Sequence, residues 1–195
     1  CLSRGLGDVY KRQDYAQLRA RLLAQHQVLD LPVLPPLTAK PAASVKGTGI
    51  APASLPGLIL DDAQAELSGD WERSTNFKPH VGTGYLHDEQ RSDGKSRAVF
   101  RFKGPADGEF ALRMAYSAHE TRTTRLPITI AGGGTEHRFT VDQTQPLPAG
   151  EAFREVGRIR LRQGVDYTLT VANEDTKGFV ILDAFQLLPV VASAK

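Results

Sequence analysis

Arg97-Ala98-Val99-Phe100-Arg101-Phe102-Lys103 and, a few residues on, Phe110-Ala111-Leu112-Arg113-Met114-Ala115-Tyr116 decide the fold. In the first stretch Ala98, Phe100 and Phe102 fall on one side of an extended chain, and Arg97, Val99, Arg101 and Lys103 on the other. In the second, Phe110, Leu112, Met114 and Tyr116 alternate with Ala111, Arg113 and Ala115. An apolar residue at every second position makes a strand with one buried face. The period recurs along the chain. Leu126, Ile128 and Ile130 lead into Gly132-Gly133-Gly134, a hairpin turn that tolerates positive φ, and Phe139 and Val141 return. Ile159 and Leu161 alternate with Arg158, Arg160 and Arg162; Val165, Tyr167, Leu169 and Val171 follow a Gln163-Gly164 turn. Upstream, Leu58-Ile59-Leu60 opens a strand. Phe179 to Leu188 is apolar on both faces and predicts a central, doubly covered strand. About nine or ten short strands with no helix between them predict an all-β antiparallel sandwich, a jelly roll, over residues 57–190. A domain of that size buries roughly two thirds of its surface, enough for a core of its own.

The whole chain has 195 residues, which leaves no room for a two-domain cofactor enzyme beside the sandwich. One Cys excludes an internal disulfide framework and any multi-thiolate metal site. No apolar run approaches ~18 residues, so no helical membrane span is expected. The net charge of +2 is unevenly spread: residues 1–50 carry seven Lys/Arg against three Asp/Glu, and residues 51–195 carry 17 against 19. The sandwich is slightly acidic, and a scattered basic tail is not the clustered patch that nucleic-acid binding needs.

Three segments precede the sandwich. Residues 1–13 lack an initiating Met and any period, and resemble a translated assembly scar to be set aside from fold reasoning. On that reading the chain is the C-terminal part of a longer protein. Over 14–29, Asp14 can cap an amphipathic helix with Tyr15, Leu18, Leu22 and Leu29 near helical spacing. A lone helix of this length is marginal in water, so its partner is expected in an upstream domain. Residues 30–56, with Pro32, Pro35, Pro36, Pro41, Pro52 and Pro56, predict a semi-stiff linker.

The sequence contains no phosphate loop, dinucleotide fingerprint or nucleophile elbow. Asp183 lies inside the most apolar strand, and a buried carboxylate must be paired or hydrogen-bonded. First and last strands of a sandwich often lie side by side, which would bring Asp61 or Asp62 near it. These carboxylates either accept backbone N–H bonds or, with carbonyls, hold a structural calcium ion. His87 and Asp88 are adjacent on a strand and point to opposite faces, so a polar strand end is favoured over a shared site. Trp71, Phe77, Tyr85 and Tyr116 are candidate sugar-stacking rings. Arg158, Arg160 and Arg162 form an outward row that either reads an acidic polysaccharide or guards an exposed edge.

With these segments in hand the sequence resembles the golvesin/xanthan-lyase carbohydrate-binding-like domain over about 58–189. Leu60-Asp61-Asp62-Ala63 is similar to its first strand, Gly69-Asp70-Trp71 to its Trp segment, and Gly82-Thr83-Gly84-Tyr85-Leu86-His87-Asp88 to its glycine–tyrosine loop. Arg122-Thr123-Thr124-Arg125-Leu126-Pro127-Ile128 resembles its Asn-Arg-Ala-Thr-Asn-Val-Pro-Val stretch, departing at Thr121 and Arg125, where the family has Asn. Val141-Asp142-Gln143 and Gly178-Phe179-Val180-Ile181-Leu182-Asp183-Ala184-Phe185 resemble its closing segments. The resemblance implies a non-catalytic carbohydrate-binding domain with a polysaccharide partner, for which Trp71, Tyr85, His87, Arg122, Arg158, Arg160 and Arg162 are the candidate contacts. The helix over 14–29 resembles the end of FAD-dependent oxidoreductases that carry this domain. The resemblance therefore implies that FAD is bound upstream and not by this chain, and suggests a secreted or periplasmic parent. The alternative is a structural domain that docks on the oxidoreductase or a partner and binds no sugar.

Overall fold

The computed structural model describes residues 49–190. Residues 1–13, the helix expected over 14–29 and the linker as far as 48 lie outside the described residues.

The alternating stretches become strands. In chain order they are β1 (Leu58–Asp61), β2 (Glu66–Ser68), β3 (Glu72–Ser74), β4 (Tyr85–His87), β5 (Arg97–Lys103), β6 (Gly108–Ala115), β7 (Leu126–Gly132), β8 (Thr135–Val141), β9 (Arg154–Leu161), β10 (Asp166–Ala172), β11 (Ile181–Leu182) and β12 (Ala184–Pro189). They form a four-stranded sheet, β1-β12-β6-β9, a five-stranded sheet, β2-β5-β10-β7-β8, and a small sheet, β11-β4-β3. Every strand pairing is antiparallel. The fold is the expected all-β jelly-roll sandwich.

The two large sheets bury their alternating faces against each other. Phe110, Leu112, Met114, Phe185 and Leu187 of one meet Phe100, Leu169, Val171, Ile128 and Ile130 of the other in one core cluster. Phe100 and Phe185 meet edge to face across the sheets, centroids 5.6 Å apart, a geometry that adds about 1 kcal/mol to the burial of both rings. At the far side, Phe139 of β8 rests on Gly157 of β9, where any Cβ would lie 2.3 Å from the ring. The β6–β9 register slips at Leu112/Arg113, so β9 bulges beside that contact.

Two sequence expectations change. The run from Phe179 to Leu188 is not one strand: β11 pairs with β4 in the small sheet, and β12 pairs with β1 and β6. The break falls at Asp183, whose backbone and side chain serve other partners. Residues 49–56 are also not a free linker. Ile50 makes a parallel bridge with Val81. Its N–H donates to the His80 carbonyl at 2.8 Å, and Gly82 N–H donates to its carbonyl at 2.9 Å. Leu55 then packs with Val81, Ala115, Phe153 and Ala184, a second small core on the outer face of the four-stranded sheet. Gln186 Nε2 fixes the end of this strap by donating to the Pro56 carbonyl at 2.9 Å. Proline-rich chain is extended, and an extended chain can lie on a sheet face as readily as span a gap.

Candidate functional site

The three carboxylates singled out from sequence do come together, because β1 and β12 pair and place Asp61 opposite Ala184. All three are buried. Asp61 caps the short 3₁₀ turn Asp62–Gln64: its Oδ1 accepts from Ala63 N–H at 3.1 Å, and its own N–H donates to Gln64 Oε1 at 3.1 Å. Asp62 donates its N–H to the Asp183 carbonyl at 2.9 Å, and its Oδ1 accepts from Arg73 Nη2 at 3.2 Å. Both carboxylate oxygens of Asp183 accept from Val81 N–H, at 3.0 and 3.2 Å. Burial pushes the Asp183 carboxyl up to about 8, against the pull of the Val81 N–H, and the charges of Asp62 and Asp61 push the same way. Burial also raises Asp62, to about 6, against the Arg73 guanidinium.

Two oxygens of this cluster, Asp61 Oδ2 and Asp62 Oδ2, are buried without a partner, as are both ring nitrogens of His80. Free carboxylate oxygens are the donors a hard cation takes. Yet no three Asp, Glu, His or Cys side chains among the described residues converge as a ligand set. Burial favours the protonated form of Asp183 within this acid cluster.

Of the residues expected to contact sugar, Tyr85 lies wholly in the core. Tyr116 is also buried, its hydroxyl donating to the Gln145 carbonyl at 2.9 Å. Trp71 is half-buried against the core, and its indole N–H donates to the Ser68 carbonyl at 3.1 Å. Tyr85 and Tyr116 offer no free ring face; alternation alone does not distinguish a ring at a strand start from a platform. Arg158 and Arg160 do point outward from the edge strand β9. Arg158 is tied to Glu155 at 3.1 Å and to Glu109 at 3.7 Å. Arg162 lies beyond the strand and donates to the Gly133 carbonyl. Among the described residues no ring flanks this row in a cation–π contact. Asp88 is wholly buried, with its carboxylate accepting from Val180 N–H at 2.9 Å, Gln90 N–H at 3.1 Å and Asn173 Nδ2 at 3.0 Å. It ties the segments around Gln90, Asn173 and Val180 together.

Arg122 is different. Its guanidinium lies between two rings, 4.8 Å from the centroid of Phe77 and 5.4 Å from that of Phe179. Phe179 also meets His87 edge to face at 5.8 Å, and Phe77 meets His119 at 5.6 Å. Phe77 comes from the loop between β3 and β4, Arg122 and His119 from the loop between β6 and β7, and Phe179 from the segment before β11. Backbone bonds clamp the last two together: Thr123 N–H donates to the Phe179 carbonyl, and Phe179 N–H to the Thr121 carbonyl, each at 2.9 Å. Gly178 allows this approach, at φ +91° with a hypothetical Cβ only 2.6 Å from the Thr121 carbonyl oxygen. Phe77 is 39% exposed and Leu67 45%, and these are the two exposed large apolar side chains among the described residues. Arg122, Phe77 and His87 were each suggested by sequence. Phe179 and His119 were not, and no spacing pattern links residues that only loop packing assembles.

The class defined here is a jelly-roll β-sandwich domain with a ring-and-cation cluster built from its loops. The chain belongs to the Golvesin C-terminal domain family, whose pattern matches residues 58–189. Among solved structures it is similar to a Paenibacillus xanthan lyase, at 24% identity and a TM-score of 0.61, over 68% of this chain and 13% of that one. It is also similar to the Podospora anserina GH26-CBM35 β-(1,4)-mannanase, at 19% identity and a TM-score of 0.51, over 70% of this chain and 28% of that one. The chain thus spans a minor part of both proteins. No curated protein matches it.

Proposed function

We propose that the domain is a non-catalytic accessory module that binds carbohydrate through the loops carrying Phe77, His119 and Arg122. The observation that carries this reading is the partly exposed Phe77 ring, held in place by the Arg122 guanidinium beneath it. Sugar rings stack on such faces, and an ordered ring loses little entropy on binding. Its family and its fold's likeness to parts of polysaccharide-acting enzymes support the reading. Hydrolysis is disfavoured because its chemistry needs two accessible carboxyls at ~5–9 Å flanking a scissile bond, and the acid cluster is buried and committed to the backbone. Native gel retardation by a panel of neutral and acidic polysaccharides tests the proposal. A shift with at least one glycan, reduced by Phe77→Ala, is expected. If no glycan retards the protein, the docking reading replaces this one, and binding to an upstream domain becomes the measurement of interest.

The resemblance of Asp14–Leu29 to the end of FAD-dependent oxidoreductases supports a flavoenzyme parent, with FAD held outside this chain. A secreted or periplasmic location accords with a glycan-binding accessory domain. The reading frame upstream of Asp14 tests the parentage: a Gly-x-Gly-x-x-Gly strand–helix unit is expected, and a frame without one removes the flavoenzyme.

A further inference from the structure

Arg122 is the one Lys or Arg among the described residues that is buried, at 7% exposure. It is also without an acidic partner there. Arg73, Arg91, Arg101, Arg113, Arg138 and Arg158 all make ion pairs; Arg122 makes none. Glu120, two residues away and exposed, does not reach it. Its hydrogen bonds are few and long: Nε donates to the Ser117 carbonyl at 3.3 Å, and Nη1 to Thr121 Oγ1 at 3.5 Å. Nη2 donates to nothing among the described residues, yet it is not among the fully enclosed polar atoms. The neighbouring Ser117 hydroxyl is enclosed and has no partner either.

A buried cation without a counter-charge is costly. The rings of Phe77 and Phe179 supply part of the compensation through their negative faces. They cannot supply the rest, because ring quadrupoles accept no hydrogen bond in the guanidinium plane. Burial accordingly lowers the proton affinity of this guanidinium from its usual value. It nevertheless remains charged at neutral pH, since arginine loses its proton only far above that range. The arrangement is rigid: the 178–180 and 119–123 segments are clamped by backbone bonds, and the guanidinium cannot swing to a surface carboxylate without leaving both rings.

We infer that the open edge of Arg122 is an anion seat, and that the ligand of this module is a carboxylate-bearing sugar whose ring stacks on Phe77 while its carboxylate takes the guanidinium edge. The inference rests on the carbohydrate reading above and narrows it to acidic glycans. A planar carboxylate matches the arginine fork, and charge-assisted hydrogen bonds of this kind are about twice as strong as neutral ones. Neutral sugars would stack on Phe77 and leave the cation unanswered. The outward arginines on β9 present a more solvated and partly paired alternative, which gives the test a built-in comparison.

The experiment is a calorimetric titration of the full 195-residue chain with glucuronate-containing oligosaccharides and with the same oligosaccharides after carboxyl reduction to glucose. At moderate salt the acidic forms are expected to bind at least tenfold more tightly. Phe77→Ala, which alters an exposed ring, and Arg122→Lys, which keeps the charge but loses the fork and the stacking, should each remove tenfold or more of that affinity. Arg160→Gln should leave it within about twofold. Equal binding of acidic and reduced forms overturns the anion seat and leaves the carbohydrate reading in place. Acidic preference that survives Phe77→Ala but falls with Arg160→Gln moves the contact to β9 and also overturns the inference. Failure of every oligosaccharide to bind overturns both readings.

Discussion

Asp183 sits where the charged form of a carboxylate is hard to hold. Its folded pKa, about 8, lies above the ~4 of an unfolded aspartate. Between those values the folded state binds the proton more tightly, so stability from this group is complete below pH ~4 and is lost as pH rises through about 8. Asp62, raised to about 6, acts in the same direction. The thermal midpoint should therefore fall between pH 5 and pH 8.5. Asp183→Asn, which keeps a carbonyl acceptor for Val81 N–H, should flatten that fall; a wild-type midpoint unchanged over this range would refute the assignment. Asp88 makes the opposite case, a carboxylate fully occupied by three donors. Asp88→Ala leaves those donors unpaired and should cost about 3 kcal/mol in urea unfolding. At this scale the sequence was informative about which acids are unusual, since an Asp inside an apolar strand announces itself. It could not say that Tyr85 and Tyr116 are core and Phe77 is not, because an aromatic residue suits a core or a platform equally well.

Among the elements, the long strands were readable and the short ones were not. β5, β6, β7 and β10 have seven or eight residues each, enough to display several turns of the two-residue period. β2 and β3 have three residues each, too few to separate a strand from a turn. The break between β11 and β12 was hidden because apolar residues flank it on both sides. Two glycines hold elements together by having no side chain. Gly157→Ala would drive a methyl into the Phe139 ring and should destabilise the sandwich by about 1–3 kcal/mol, read as a lower urea midpoint. Gly178→Ala combines a strained φ with a clash against the Thr121 carbonyl. It should loosen the clamp beneath Arg122, and the check is whether glycan retardation falls more than the unfolding midpoint does.

For the molecule as a whole, the domain boundary lies earlier than composition suggests. A chain beginning at Gly57 loses the Ile50–Val81 bridge and the Leu55 cover over the outer core. It should unfold at lower urea than one beginning at Gly49, by at least about 1 kcal/mol. Equal midpoints would return residues 49–56 to the status of linker. Fold class was legible because the long strands repeat one signal. The strap was not, because proline-rich extended chain reads the same whether bound or free.

That strap also changes how the domain would respond to tension. β1 and β12 run antiparallel, with Leu58 opposite Leu187, so pulling at Gly57 and at Val190 would open their ladder one bond at a time from a shared end. The strap carries the point of attachment from that end to Ile50, beside Val81 and the Asp183 carboxylate, at the other end of the pair. Force entering there runs along the strands and strains several hydrogen bonds together. Unfolding under load is governed by the barrier rather than by equilibrium stability. A module tethered through residue 49 should thus resist pulling well beyond what its thermal midpoint suggests, and cutting the Ile50 bridge should turn a tether that shears into one that peels.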